Sequence, residues 1–315
     1  MKLKVLVADK FPDKYIQQMK DLDLEVIYNA KLGEKDLPEA AIDSDIIVVR
    51  STVVNEEAIS NSNKLKLIIR AGSGVNNINI AAANKKGVAV ANCPGMNAVA
   101  VAELAIGLML SLDRCIPENV IDFNKGIWNK DKYSKGKGLK GKTLGLIGVG
   151  NIGKEVARRA LAFEMTVLGK DVVPIEGVQI KLINEMDQLL PLCDVVSIHL
   201  PATPQTKGMI NKQVFSYMKK GAYLINTSRQ DVLVEDDLLE AIKEKNLRAA
   251  VDVFKGEPEA KSGEVSSKLM NNPNIYVTHH IGASTEQAQD AVAEETINII
   301  KHYVQSGVVD NKVNI

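Results

Sequence analysis

Lys140-Gly-Lys-Thr-Leu-Gly-Leu-Ile-Gly-Val-Gly-Asn-Ile-Gly-Lys154 is the stretch whose reading decides the fold. Thr143 to Ile147 is a short apolar run of the kind a buried strand needs, and it breaks at Gly148-Val-Gly150-Asn-Ile-Gly153. Beyond the glycines, apolar residues return at helical spacing through Val156, Ala157 and Ala160. Glycines spaced this way between strand and helix suit a dinucleotide. Gly148 permits the tight turn, Gly150 lets backbone approach a pyrophosphate, and Gly153 lets the helix pack close on the strand. Backbone N–H groups of Asn151, Ile152 and Gly153 open the helix and face the anion. A second strand, Met165 to Gly169, leads to Asp171, eighteen residues past the last glycine. A carboxylate there accepts hydrogen bonds from the adenosine ribose hydroxyls and repels a 2′-phosphate, so NAD is the expected cofactor. Lys170 beside it could soften the discrimination against NADP. A glycine-rich turn without a ligand is the bland alternative, and the register of strand, glycines, helix and acid argues against it.

At 315 residues the chain exceeds one ordinary core, and two domains are expected. Thirty-nine basic residues balance thirty-nine acidic ones, so no net field invites nucleic acid or an anionic membrane. The apolar run at the N-terminus is too short for a signal peptide, and no stretch approaches a membrane span. Cys93, Cys115 and Cys193 form no C-x-x-C pair. Reduced thiols in a cytoplasmic protein, without a metal site, are the expectation.

The chain alternates short β-branched runs with helical stretches. Strands are expected at 4–8, 46–49, 65–69 and 87–90, in a first block that carries no phosphate-binding fingerprint. Residues 97–113 are apolar nearly all round, so that helix must be buried. A polar arm follows, from Glu118 to Lys142, holding the one tryptophan, Trp128. It reads equally as a solvated loop or as a segment wrapping a second subunit. Further strands are expected at 143–147, 166–168, 195–200, 222–226, 249–254 and 275–279. A Ser-x-x-Gln capping box at Ser284 opens a last helix that ends near Gly307. The fold expected is α/β, with two Rossmann-like doubly wound parallel-sheet domains and an active-site cleft between them. Residues 1–97 plus 283–315 form the substrate domain, and 98–282 the cofactor domain.

Polar residues gather where strands end. Arg50-Ser51, Arg70-Ala-Gly-Ser-Gly74, His199-Leu-Pro-Ala-Thr203, Asn226-Thr-Ser-Arg229, Asp252 to Glu257 and His279-His-Ile-Gly282 all follow strands. Ligands of open α/β sheets bind outside the carboxyl ends of strands, so these groups can face one cleft.

Asn226-Thr-Ser-Arg229, Val251-Asp-Val-Phe-Lys-Gly-Glu-Pro258 and Thr278-His-His-Ile-Gly-Ala-Ser-Thr285 resemble the three signatures of the D-isomer-specific 2-hydroxyacid dehydrogenases. Arg70 to Val75, Asn97 to Leu104 and Leu139 to Gly145 extend the resemblance over essentially the whole chain. It is nearest to short 3-phosphoglycerate dehydrogenases lacking the ACT domain. The resemblance implies that His280 is the acid–base, Glu257 its carboxylate partner and Arg229 the clamp on the substrate carboxylate. It implies cofactor contacts from the glycine loop, Asp171, His199, Pro201, Thr203, Thr206, Thr227, Ser228, Arg229, Asp252, His280 and Gly282. Ser73, Gly74 and Val75 would present backbone to the substrate, with Gly72 and Gly74 permitting the close approach. Arg50 and Asn97 match further substrate contacts, together with Arg229 and His280. Asn76 and Asn79 stand where relatives usually carry aspartates.

The chemistry suits those residues. Oxidising a 2-hydroxy acid moves a hydride from C2 and a proton from its hydroxyl, and imidazole handles that proton in both directions. A guanidinium is a planar, permanently charged fork for a carboxylate. Alone, His280 reads as a satisfied core polar group, Arg229 as a surface ion pair and Glu257 as a turn initiator before Pro258. Together, in family order, they read as a site. His279 would point away from His280 on an alternating strand, His199 would line the cofactor pocket, and His302 would be solvated. Lys130 and Lys132 could reach a partner subunit's substrate, in a homodimer or larger homo-oligomer. The expected reaction is oxidation of 3-phospho-D-glycerate to 3-phosphohydroxypyruvate, the entry step of serine biosynthesis. Glyoxylate or hydroxypyruvate reduction, or a D-lactate-type activity, is the alternative. More remote is an NAD-sensing binder similar to the C-terminal-binding-protein corepressors.

Overall fold

β-Branched tetrads with no exposed face lie at the centre of both sheets of the computed structural model, which describes residues 2–258 and 262–314. Ile46–Val49 and Val195–Ile198 are buried on both faces, as parallel strands covered by helices must be. The chain divides into two units, Met1–Asn97 with Thr285–Ile315, and Ala98–Ser284.

In the first unit, β1 (Lys4–Val7), β2 (Glu25–Tyr28), β3 (Ile46–Val49), β4 (Leu67–Arg70) and β5 (Ala89–Asn92) form a parallel sheet in the order β2-β1-β3-β4-β5. Helices α1 (Asp13–Asp21), α2 (Leu37–Ala40), α3 (Glu56–Asn61) and α4 (Ile80–Lys86) connect them. The edge strand β2 is not expected from sequence. Three of its four residues are exposed, so backbone pairing with β1 holds it without an apolar signal. Strand β5 begins two residues later than its apolar run, because Gly87 is the left-handed cap of α4 at φ 70°.

The second unit opens with α5 (Ala98–Arg114), followed by α6 (Ile116–Asn124) and α7 (Lys130–Tyr133). Then come β6 (Thr143–Ile147), α8 (Asn151–Ala162), β7 (Thr166–Lys170), β8 (Lys181–Leu182), α9 (Met186–Leu189), β9 (Val195–Ile198) and α10 (Lys212–Tyr217). β10 (Tyr223–Asn226), α11 (Glu235–Lys245), β11 (Arg248–Val251) and β12 (Ile275–Val277) complete it. The sheet is parallel, in the order β12-β11-β10-β9-β6-β7-β8. β8 has only two residues, too few to carry a pattern. As expected, α5 is largely buried; Ala102, Ala105, Met109 and Leu112 are fully covered, and the helix packs on α8, β10 and β11.

The arm departs from expectation. It contains helices, and it is not poor in apolar residues. No residue of α6 is buried, and Val120, Ile121, Phe123, Ile127 and Trp128 are exposed, Trp128 at 81%. The final helix, α12 (Glu286–Ser306), also starts one residue late. Thr285, not Ser284, is the N-cap, its hydroxyl accepting from the Ala288 N–H at 3.1 Å, while Ser284 closes a turn onto Ile281. α12 belongs to the first unit, where Ala293, Ile297, Ile299 and Ile300 enter the core beside Met19 and Leu67. The tail beyond it pairs with β5, Asn92 N–H donating to Asn311 and Val313 N–H to Val90. Among the described residues no helix is long and apolar enough to cross a membrane.

Candidate active site

The glycine loop is fixed by backbone contact. A Cβ on Gly148, whose φ is 90°, would stand 2.5 Å from the His199 carbonyl oxygen, and one on Gly153 would stand 2.4 Å from that of Gly148. A Cβ on Gly150 would meet no atom of the described residues within 4 Å. Space is therefore open where a pyrophosphate would approach. No side chain caps α8 and its first turn has no acid, so the N–H groups at Asn151 to Gly153 suit an external anion. The residues present thus fit a dinucleotide. Asp171 is tied to this loop: its Oδ2 accepts the Val149 N–H at 2.6 Å, and its Oδ1 accepts those of Val172 and Val173. The neighbouring Lys170 ammonium is engaged by the Asn184 carbonyl oxygen.

The ladder continues one residue past the strands. His199 N–H donates to Ile147, Asp252 N–H to Asn226 and Thr278 N–H to Val251. Gly148, His199, Thr227, Asp252 and Thr278 therefore line the tips of one sheet. His199 Nε2 meets Ser197 Oγ at 2.9 Å, and burial pushes the imidazole down to about 3, so it stays uncharged and is no acid–base at neutral pH. Its Nδ1 and the Thr227 hydroxyl are buried without a hydrogen-bond partner among the described residues. The next turn is self-contained, Thr206 Oγ1 donating to the Pro201 carbonyl and accepting the Thr203 N–H.

Asp252 is 1% exposed and carries the turn that holds His280. Its Oδ1 accepts from Thr278 Oγ1 at 2.6 Å and Ile281 N–H at 2.9 Å, and its Oδ2 from Gly282 N–H at 2.8 Å. A Cβ on Gly282 would crowd that carboxylate at 3.1 Å. β12 stops at Val277, so His279 and His280 lie beyond the strand and alternation does not govern them. His280 has φ 51°, a left-handed conformation sustained by these bonds.

Two of the candidates are bonded in the second unit, and Arg229 lies in the same unit. His280 Nδ1 is 2.6 Å from Glu257 Oε1, and the ring is half-exposed. This leaves Nε2 as the nitrogen that can exchange a proton. Arg229 follows β10 in a loop tied by Asn226, whose Oδ1 accepts Ser228 N–H and Oγ while its Nδ2 donates to the Arg229 carbonyl. Arg229 Nη1 donates to the Ser228 carbonyl at 2.7 Å. Burial draws its pKa down, and the Glu257 charge opposes that shift.

The first unit groups the remaining candidates. Ser73 Oγ donates to Asn97 Oδ1 at 3.0 Å, and Asn92 Nδ2 holds the Ser73 carbonyl. Gly74 and Val75 follow, half-buried, in the same loop. Gly72 has φ 146°, and a Cβ there would overlap the Arg70 guanidinium. Its bareness therefore accommodates a side chain of this chain, a role the expected close approach of substrate had not foreseen. Asn79 caps α4, accepting the Ala82 N–H at 3.0 Å, a task an aspartate performs equally well. Arg50 lies at the tip of β3, its N–H donating to Asp9. On the arm, Lys132 is paired with Asp122 at 2.6 Å. Sequence reasoning missed Asp9, Asn77, Thr278 and the anchoring role of Asn226. Asp9 and Asn226 do stand at strand tips, which was the available signal.

Residues 106–282 match the family model of the D-isomer specific 2-hydroxyacid dehydrogenase, NAD binding domain. The chain belongs to the D-isomer-specific 2-hydroxyacid dehydrogenases. Within that family it is 37% identical over 319 residues to the D-3-phosphoglycerate dehydrogenase of Methanocaldococcus jannaschii, covering 99% of this chain and 60% of that protein. To the hydroxypyruvate reductase of Thermotoga maritima it is 38% identical over 305 residues, covering 94% and 97%. A solved NAD+-bound 3-phosphoglycerate dehydrogenase of Entamoeba histolytica superposes with a TM-score of 0.83 at 29% identity, over 100% and 99% of the two chains. The chain thus spans about three fifths of the Methanocaldococcus relative's length and nearly all of the Thermotoga one's. Residues 106–282, which match this family's NAD-binding domain, lie within the second unit.

Proposed function

We propose that this chain is an NAD-dependent D-2-hydroxyacid dehydrogenase that oxidises 3-phospho-D-glycerate to 3-phosphohydroxypyruvate, the entry reaction of serine biosynthesis. One observation carries the reading: a histidine bonded to a glutamate, on the same unit as a half-buried arginine and an open glycine cradle. Bound NAD supplies the hydride acceptor. Asn151, Ile152, Gly153 and Asp171 hold the dinucleotide, with Thr203, Thr206, Thr227 and Ser228 along the strand tips. His280 Nε2 takes the C2 hydroxyl proton during oxidation and returns it during reduction. Glu257 fixes the ring's tautomer and stabilises its charged form. Arg229 grips the carboxylate and draws charge toward the C2 oxygen. Arg50 and Asn97 supply the contact to the second anion, the phosphate.

The alternative substrate is hydroxypyruvate or glyoxylate. It is favoured by the Thermotoga maritima relative, which this chain matches over nearly its full length. Steady-state assays of phosphorylated and unphosphorylated acids, each with both cofactors, separate the readings. The expected result is a higher kcat/KM for the phosphorylated acid and for NAD, with the cofactor preference narrowed by Asp171→Ala. Equal values for the two acids would remove the phosphate assignment. Binding of NADH without turnover of any acid would favour a sensing protein instead.

The reading includes a homo-oligomer in the cytoplasm. The uncovered apolar residues of α6 and Trp128 support the first, and three unpaired cysteines the second. Sedimentation velocity should show a species of at least two chains, and a monomer at micromolar concentration would refute it.

A further inference from the structure

Asp9 is a buried carboxylate that the proposed chemistry does not use. It is 5% exposed, at the tip of β1. Its Oδ2 accepts three successive backbone N–H groups, those of Arg50 at 2.7 Å, Ser51 at 2.9 Å and Thr52 at 2.9 Å. Ser51 Oγ donates to Oδ1 at 2.9 Å. Successive amides converging on one oxygen form the kind of nest that proteins use for anions, and here the anion is the chain's own. Burial alone would raise the Asp9 pKa, but the amides of Thr52, Arg50 and Ser51 outweigh it and hold the group below the usual carboxylate range. The carboxylate is therefore a standing charge around which residues 50–52 are wound.

The loop so fixed is joined to a second. Asn77 Nδ2 donates to the Thr52 carbonyl at 2.8 Å. Val54 N–H donates to Asn77, Asn79 N–H returns to Val54, and Ile78 N–H closes a turn onto Val75. Residues 50–54 and 75–79 thus share one hydrogen-bond network. The first segment carries Arg50, and the second runs directly out of the loop holding Ser73, Gly74 and Val75.

We propose that Asp9 is a positioning residue that fixes the backbone of Arg50 and, through Thr52 and Asn77, keeps the two substrate loops of the first unit in register. This rests on the assignment of Arg50 to the substrate's second anion. A simple stabilising role would lower the amount of folded protein without favouring one substrate. A positioning role selects by substrate, because it acts through the guanidinium.

The test is a double-mutant cycle of Asp9→Asn and Arg50→Ala, with KM and kcat measured on 3-phospho-D-glycerate and on unphosphorylated D-glycerate. NADH affinity, read by fluorescence titration, reports on the other unit. Asp9→Asn should raise KM for the phosphorylated acid on the order of tenfold to a hundredfold, as expected for a misplaced binding group. The unphosphorylated acid should be affected far less, and NADH affinity should not change. In the Asp9→Asn background, Arg50→Ala should add little. Fully multiplicative effects, or equal losses on both acids, would overturn the positioning role and leave the substrate assignment intact. Arg50→Ala that is itself without effect on the phosphorylated acid would instead remove the assignment, and the positioning role with it. Should Asp9→Asn fail to fold, Asn77→Ala breaks the same network at Thr52 and should show the same substrate selectivity.

Discussion

Replacing His280 by glutamine is expected to lower kcat by on the order of 10²–10⁴, the range a positioned acid–base contributes. Glutamine can still reach the Glu257 carboxylate that now meets Nδ1 at 2.6 Å, but its amide has no nitrogen that takes a proton near neutrality. The backbone change is small, because histidine already occupies φ 51° and glutamine meets the same penalty there, roughly 1–2 kcal/mol for either residue. Stability and NADH affinity should therefore hold while turnover falls. Thermal unfolding and fluorescence titration of the same preparation check the first two, and stopped-flow single turnover checks the third. Near-normal turnover would mean that another group accepts the proton. His199 is a poor substitute, since burial keeps it uncharged with Nε2 engaged by Ser197.

Arg229→Lys should lower kcat/KM by on the order of 10²–10³, the scale seen when one preorganised donor to developing charge is lost. The variant keeps a positive charge beside Glu257, so the electrostatics of His280 are largely preserved and the experiment isolates geometry. What disappears is the planar fork: one arm, Nη1, is anchored to the Ser228 carbonyl, and a single ammonium cannot hold that anchor and also present a bidentate face. The loss should appear in both KM and kcat, because the proposed mechanism gives the same group both the carboxylate and the C2 oxygen. A change within about threefold, near the limit of an ordinary surface pair, would make Arg229 a structural residue.

Much of this was legible because local and global signals agree at the glycine loop. An apolar run, a forced turn and a helical period succeed one another there, as a strand–turn–helix unit requires. Three regions escaped for separate physical reasons. β2 is held by backbone pairing at an edge, where side chains need not be apolar. Among the described residues none buries α6, so its exposed Val120, Ile121 and Phe123 did not read as one face of a core. The turn at His280 depends on a carboxylate 28 residues earlier, Asp252, and no periodicity reports a contact of that range. Asp9 was hidden for the same reason, its partners lying more than forty residues away. The proposed trio of Arg229, Glu257 and His280 was legible as types and order, while the hydrogen bonds around each member were not.

Helix α12 enters the first unit's core, and the tail pairs with β5, although both are the last described parts of the chain. On the ribosome, residues 98–284 therefore emerge in full while the opening layer still lacks Ile297, Ile299 and Ile300. The glycine-loop half can complete its packing during translation, whereas the half synthesised first must wait, with the apolar face of β1, β3 and β4 bare. Chaperone dependence and early proteolysis of nascent chains should accordingly concentrate on the segment made earliest.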